Sequence, residues 1–125
     1  SNLLNHAELK NKEEKLDSSE FIQKVKEYIV NHLSEDLSLK NTSKKFGISQ
    51  TYLGQLFNKY QKVSFSNYVI EMRIQRAKEL LDNDKEILIK DVAKSVGYQD
   101  QFYFSRVFRS MTGITPTDYI NKEEN

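Results

Sequence analysis

The chain contains no cysteine, which excludes disulfides and thiolate metal sites and is compatible with a reducing compartment. It has one proline and four glycines, so breaks in regular structure are few and each can be read by itself. No run approaches the ~18 apolar residues of a membrane span, and no basic-then-apolar leader opens the chain. A cytoplasmic location away from membranes is the expectation. Sustained alternation of apolar and polar residues is also missing, so no strand is expected. What is present is 38% hydrophobic and 11% aromatic residues, enough for one domain, or two small ones sharing a core.

Chemistry has little footing. His6 and His32 stand apart, carboxylates are scattered, and neither a metal-ligand spacing nor a glycine-rich phosphate loop occurs. No enzyme activity, cofactor or metal is expected.

Charge is more informative than its total of +1. Residues 1–37 carry five Lys and eight Asp/Glu, residues 38–122 fourteen Lys/Arg and eight Asp/Glu, and residues 123–125 two Glu. The respective balances are −3, +6 and −2. Basic charge confined to one region is what a binder of nucleic acid or of an anionic surface requires.

Residues 1–17 are polar, with scattered leucines (Leu3, Leu4, Leu9, Leu16), and read as a linker or a frayed helix rather than packed structure. The opening Ser-Asn, in place of Met, reads as a cloning remnant on a piece of a longer protein. Asp17 and Glu20 form a capping-box spacing ahead of Phe21, Ile22, Val25, Tyr28, Ile29 and Leu33, which predicts a helix over 18–34. Gly47 ends a short helix over 39–46. Ser49 caps a helix over 50–60 with the stripe Leu53, Leu56, Phe57 and Tyr60. A long helix follows over 65–81, with Val69, Met72, Ile74, Ala77, Leu80 and Leu81 facing inward. Gly97 ends a helix over 89–96. Asp100 caps a helix over 101–111 with the stripe Phe104, Val107, Phe108 and Met111. Gly113 stops it, and Thr115 and Pro116 open a last short helix. The fold class is all-α.

The two halves repeat. At a shift of 50, Leu39 meets Ile89, Lys40 meets Lys90, Lys44 meets Lys94 and Gly47 meets Gly97. One residue is then inserted. At a shift of 51, Tyr52 meets Tyr103, Leu53 meets Phe104, Leu56 meets Val107, Phe57 meets Phe108 and Tyr68 meets Tyr119. This is a duplicated helix–turn–helix unit, the first over about 18–62 and the second over about 87–122, joined by helix 65–81. Such a unit projects the outer face of its second helix into a major groove. In "VGYQDQFYFSRVFR" (96–109), Phe104, Val107 and Phe108 hold the helix, while Phe102, Ser105, Arg106 and Arg109 fall on the opposite face.

The stretches "FGISQTYLGQLFNKY", "YVIEMRIQRAKELL", "VAKSVGYQDQFYFSRVFR" and "TGITPTDYI" resemble the AraC/XylS family of transcription regulators over roughly residues 20–121. The resemblance implies a seven-helix DNA-binding domain in which two units read adjacent major-groove segments of promoter DNA. It also implies RNA polymerase as a partner and a sensor domain ahead of this chain. Because "SFSNYVIEMRIQRAKELL" resembles members that are outputs of two-component response regulators, a receiver is the first expectation, with a ligand-binding domain as the alternative. A helix over 65–81 would be ~25 Å long, spacing the units toward successive groove faces ~34 Å apart, with DNA bending able to absorb the difference.

Arg106 is the expected base reader, since an exposed guanidinium can grip guanine O6 and N7 for ~1–3 kcal/mol of discrimination. Phe102 either presses on thymine methyls or folds into the core. Gln101 and Ser105 are polar candidates. In the first unit, Thr51, Gly54, Gln55 and Asn58 take the corresponding positions, of which Thr51 and Gln55 are expected to face bases. The family more often has a small hydroxyl residue and then a basic one at 54 and 55. Gln55 can pair with adenine but brings no charge, so the second unit is expected to carry more of the specificity. Phosphate candidates are Ser49, Tyr52, Lys59, Lys62, Tyr103 and Arg109, with Lys44, Lys45 and Lys94 beside them. For Tyr52 and Tyr103 a packed ring is an equal reading. Arg73 and Arg76 are expected to solvate the long helix or to pair with Glu79 or other acids. The rival class is a helical protein-interaction module that retains the fold without specific DNA binding; Gly54 and Gln55 favour it, and Arg106 and the basic region oppose it.

Overall fold

Short polar side chains decide where most of the helices begin. In the computed structural model, which describes residues 18–122, the Ser38, Ser49 and Ser64 hydroxyls accept from the amides of Asn41 (3.0 Å), Tyr52 (3.0 Å) and Asn67 (3.1 Å). The Asp100 carboxylate accepts from Phe102 N–H at 2.8 Å, and the Thr115 hydroxyl from Asp118 N–H at 3.1 Å. Each satisfies an amide with no partner inside its helix and contributes about 1 kcal/mol. The helices are α1 (18–31), α2 (Leu39–Lys45), α3 (Gln50–Tyr60), α4 (Phe65–Asn83), α5 (Ile89–Ser95), α6 (Gln101–Thr112) and α7 (Pro116–Lys122). Among the described residues there are seven helices and no strand. The expected linker over 1–17, with His6 and Asp17 of the capping box, lies outside the described residues.

Two helix ends differ from expectation by more than one residue. Helix α1 stops at 31 rather than 34. His32 Nδ1 donates to the Tyr28 carbonyl at 2.7 Å, taking the acceptor its own amide would use, and that amide turns to the Ile29 carbonyl at 3.1 Å. Helix α4 runs to Asn83 rather than 81 because no breaker intervenes before Asp84. There the backbone becomes extended and the carboxylate accepts from Glu86 N–H at 3.0 Å.

The duplication holds bond for bond. In the first unit the amides of Phe46, Gly47 and Ile48 reach the carbonyls of Thr42, Lys44 and Ser43; in the second, those of Val96, Gly97 and Tyr98 reach Val92, Lys94 and Ala93. Both turns pass through a left-handed glycine, Gly47 at φ 68° and Gly97 at φ 96°, where a side chain would strain the backbone. Beyond the turn, the Phe57 ring meets Tyr68 at 5.3 Å and Phe108 meets Tyr119 at 5.6 Å, the same contact 51 positions apart.

Each unit has its own core. Ile22, Val25, Ile29, Leu53, Phe57 and Phe65 fill the first; Ile74, Ala77, Leu81, Val92, Phe104 and Phe108 fill the second. Helix α4 divides its buried residues between them, giving Phe65, Tyr68 and Val69 to the first and Ile74, Ala77 and Leu81 to the second. Complete burial of a phenylalanine such as Phe57 or Phe108 contributes ~1.5–3 kcal/mol. Met111 departs from its expected place in the α6 stripe. It is 45% exposed, because Phe104 and Phe108, one helical turn apart, already fill the core side.

The two cores differ at a buried position of α2 and α5. Thr42 is 1% exposed and its hydroxyl has no hydrogen-bond partner, whereas the second unit has the fully buried Val92 at the matching position. Thr42→Val keeps the shape and removes an unsatisfied hydroxyl, so stability should rise by about 1 kcal/mol. Urea unfolding checks this, and a loss of stability would mean that the hydroxyl is paired.

Candidate nucleic-acid interface

Helix α3 buries Leu53, Leu56 and Phe57, which leaves its outer face to Thr51, Gln55 and Asn58, all exposed. Gly54 beside them is half-buried, yet a Cβ there would meet nothing within 4 Å, so packing does not require glycine. Helix α6 buries Phe104 and Phe108 and presents Phe102, Arg106 and Arg109 to solvent, with Gln101 and Ser105 half-buried at the margin. Phe102 is 69% exposed. Two residues before Phe104, it lies ~200° round the helix from the core side, and the core-packed reading of this ring fails.

Tyr52 and Tyr103 are 42% and 51% exposed, so neither is a purely packed ring. Ser49, Lys59, Lys62, Lys44, Lys45 and Lys94 are all exposed. Lys62 takes a left-handed conformation at φ 57° just past α3, and the Lys59 ammonium lies 5.3 Å from the Tyr60 ring centre. Among the described residues neither Arg106 nor Arg109 has a carboxylate within ion-pairing distance, in contrast to Arg76, which has Glu79. Two exposed guanidiniums on one helix face without a paired acid leave that face positive and open to an anionic or hydrogen-bond-accepting partner. At the start of α6 the Asp100 carboxylate already occupies the Phe102 amide.

The role of Arg73 was not legible in the sequence. Arg76 does pair with Glu79, at 3.1 Å. Among the described residues Arg73 pairs with no acid, and it does more than solvate the helix: its Nη2 donates to the Glu35 carbonyl of the first unit at 2.9 Å, and its guanidinium lies 5.4 Å from the ring centre of Tyr98 in the second. Burial raises the Tyr98 phenol above its ordinary pKa, and the Arg73 charge pulls it partly back. Around this contact the two units leave a cleft of about 450 Å³ whose lining includes Glu35, Asp36, Ser66, Arg73 and Gln99. The available signal was a mismatch in the repeat, where Ile48 of the first unit becomes Tyr98 in the second.

Among the described residues no cluster of His, Asp or Glu could hold a metal, and no helix is long and apolar enough to cross a membrane. His32 is engaged by the Tyr28 carbonyl and stacks on the Tyr28 ring at 4.0 Å.

Two helix–turn–helix units with exposed, partly cationic second helices define a DNA-binding protein. The family described as "Helix-turn-helix domain" matches residues 42–122. The chain is 35% identical over 106 residues to the HTH-type transcriptional activator Btr of Bacillus subtilis, covering 85% of this chain and 20% of that protein. It is 29% identical over 105 residues to the Msm operon regulatory protein of Streptococcus mutans, covering 84% and 37%. The C-terminal domain of AraT, a response regulator from Geobacillus stearothermophilus, superposes with a TM-score of 0.78 at 30% identity, covering 81% of this chain and 84% of that one. The chain belongs to the AraC/XylS family of transcriptional regulators, of which it is the DNA-binding domain. It spans well under half the length of the curated relatives it matches.

Proposed function

We propose that the domain binds promoter DNA sequence-specifically by laying α3 and α6 into successive major-groove segments, within a double helix–turn–helix body over 18–122. Arg106 reads guanine, Phe102 contacts thymine methyls, and Gln101 and Ser105 supply polar contacts beside them. Thr51 and Gln55 face bases from α3, Gln55 toward adenine. Ser49, Tyr52, Lys59, Lys62, Tyr103 and Arg109 hold phosphates and set the register. The observation that carries this reading is the open face of α6, where Arg106 and Arg109 stand exposed with no carboxylate among the described residues to neutralise them. At 19 residues, α4 is ~28 Å long, close to the ~34 Å that separates successive groove faces.

In the parent protein the domain is the output of a two-component response regulator, preceded by a receiver, and acts with RNA polymerase in the cytoplasm. The likeness to the AraT domain supports the receiver. A ligand-binding domain in that place would instead make the signal a small molecule.

Selecting bound duplexes from a random pool tests the assignment. The wild type should select two recognition segments about one helical turn apart, with a guanine in the segment read by α6. Arg106→Ala should lose roughly 5- to 100-fold of the preference for that guanine while leaving selection in the α3 segment unchanged. An unaltered preference removes Arg106 from the reading set.

A further inference from the structure

Arg106 does not stand alone on its helix. Its guanidinium carbon lies 5.7 Å from the ring centre of Tyr103, within the range of a cation–π contact. Tyr103 in turn meets Tyr98, ring centres 5.9 Å apart and planes at 57°. Tyr98 also meets Arg73, whose guanidinium carbon lies 5.4 Å from its ring centre, and Arg73 donates to the Glu35 carbonyl at the far end. Tyr98 is itself 7% exposed and packed at 5.6 Å on core residue Phe104. Arg73, Tyr98, Tyr103 and Arg106 line one cleft of about 530 Å³ between α4 and the start of α6. They form a continuous stack, cation on ring on ring on cation, that begins at the backbone of the first unit and ends at the reading side chain of the second. Nothing equivalent exists in the first unit, where Ile48 stands in the place of Tyr98 and Gln55 in that of Arg106.

We propose that Arg73, Tyr98 and Tyr103 are positioning residues for Arg106: the stack presets the direction of its guanidinium and ties that direction to the angle between the two units. The proposal rests on the reading of Arg106 as a base-contacting residue. The physical basis is preorganisation. A free arginine surrenders its rotamer freedom when it grips a base, and one already held against a ring surrenders less. A misdirected guanidinium also forfeits the in-plane, two-bond geometry that separates guanine from the other bases. Because the stack is anchored on the Glu35 carbonyl, loosening its far end should be felt at the base.

The test compares discrimination at the base pair that Arg106→Ala identifies, measured as the affinity ratio between the selected duplex and one altered at that pair alone. Tyr103 is half-exposed and outside both cores, so Tyr103→Leu leaves the fold intact while removing the ring. It should lower the ratio by roughly 2- to 5-fold and leave the ratios in the α3 segment at the wild-type value. Tyr103→Phe should keep the ratio, even where loss of the hydroxyl weakens binding to all duplexes alike. Arg73→Met retains the aliphatic stem and removes the guanidinium more than one side chain away from Arg106; it should lower the same ratio by a similar factor. Full discrimination in Tyr103→Leu or Arg73→Met, with discrimination lost in Arg106→Ala, overturns the positioning role and leaves the base contact standing. An equal loss at every base pair also overturns it, since that is general weakening. Intact discrimination in Arg106→Ala removes the base contact itself, and the proposal with it.

Discussion

Gly97→Ala should destabilise the domain by about 3 kcal/mol or more, while Gly47→Ala, the same substitution in the matching turn, should cost only ~1–2 kcal/mol. Both glycines are left-handed, so both substitutions carry the backbone penalty that any side chain meets there. Their surroundings differ. Around Gly47 a Cβ would meet nothing within 4 Å, whereas at Gly97 it would run into the Leu33 carbonyl oxygen and come within 2.9 Å of the Arg73 guanidinium carbon. The carbonyl belongs to the backbone of the first unit and cannot swing aside as a flexible side chain can. Either the second turn withdraws, breaking the Arg73 contacts, or the end of α1 shifts. Against a total stability of ~5–15 kcal/mol, that loss leaves a marginal domain. Urea unfolding of the two variants side by side isolates the contact, because the conformational part is common to both. Equal destabilisation would mean that the units do not meet at Gly97.

Affinity for duplex DNA should fall steeply with salt. The exposed cations proposed near phosphates are Lys44, Lys45, Lys59, Lys62, Lys94 and Arg109. If three to six of them engage, the logarithm of the association constant should fall with the logarithm of salt concentration at a slope of about −2.7 to −5.4. Between 50 and 200 mM salt, that is a loss of roughly 40- to 2,000-fold. Titration of a labelled duplex at several salt concentrations measures the slope directly. Lys59→Ala should make it shallower by about one and weaken all sequences alike, in contrast to the base-specific loss expected of Arg106→Ala. A flat response would leave the domain without a phosphate-binding face, which is the behaviour of the helical interaction module.

Much of this architecture is legible in the sequence because its signals are local. Caps at Ser49, Asp100 and Thr115 and stops at Gly47 and Gly97 act within one turn of the chain, as helix boundaries require. The repeat of Leu53, Phe57 and Tyr68 as Phe104, Phe108 and Tyr119 revealed the twin units, since identical packing needs identical positions. The outward placement of Arg106 and Gln55 followed from 3.6-residue periodicity alone.

Other features depended on neighbours distant in sequence. Whether the Phe102 ring turns inward and whether Met111 is covered depend on how much core space Phe104 and Phe108 leave, which periodicity does not measure. Arg73 could be placed on a helix, but not against a carbonyl 38 positions away. The sequence by itself thus determined the helices, the duplication and the outward faces, each specified by residues within a few positions of one another. Only the tertiary structure decided how one unit grips the other, and hence how Arg106 is held, because that contact joins α1, α4 and the second turn, segments related only through packing.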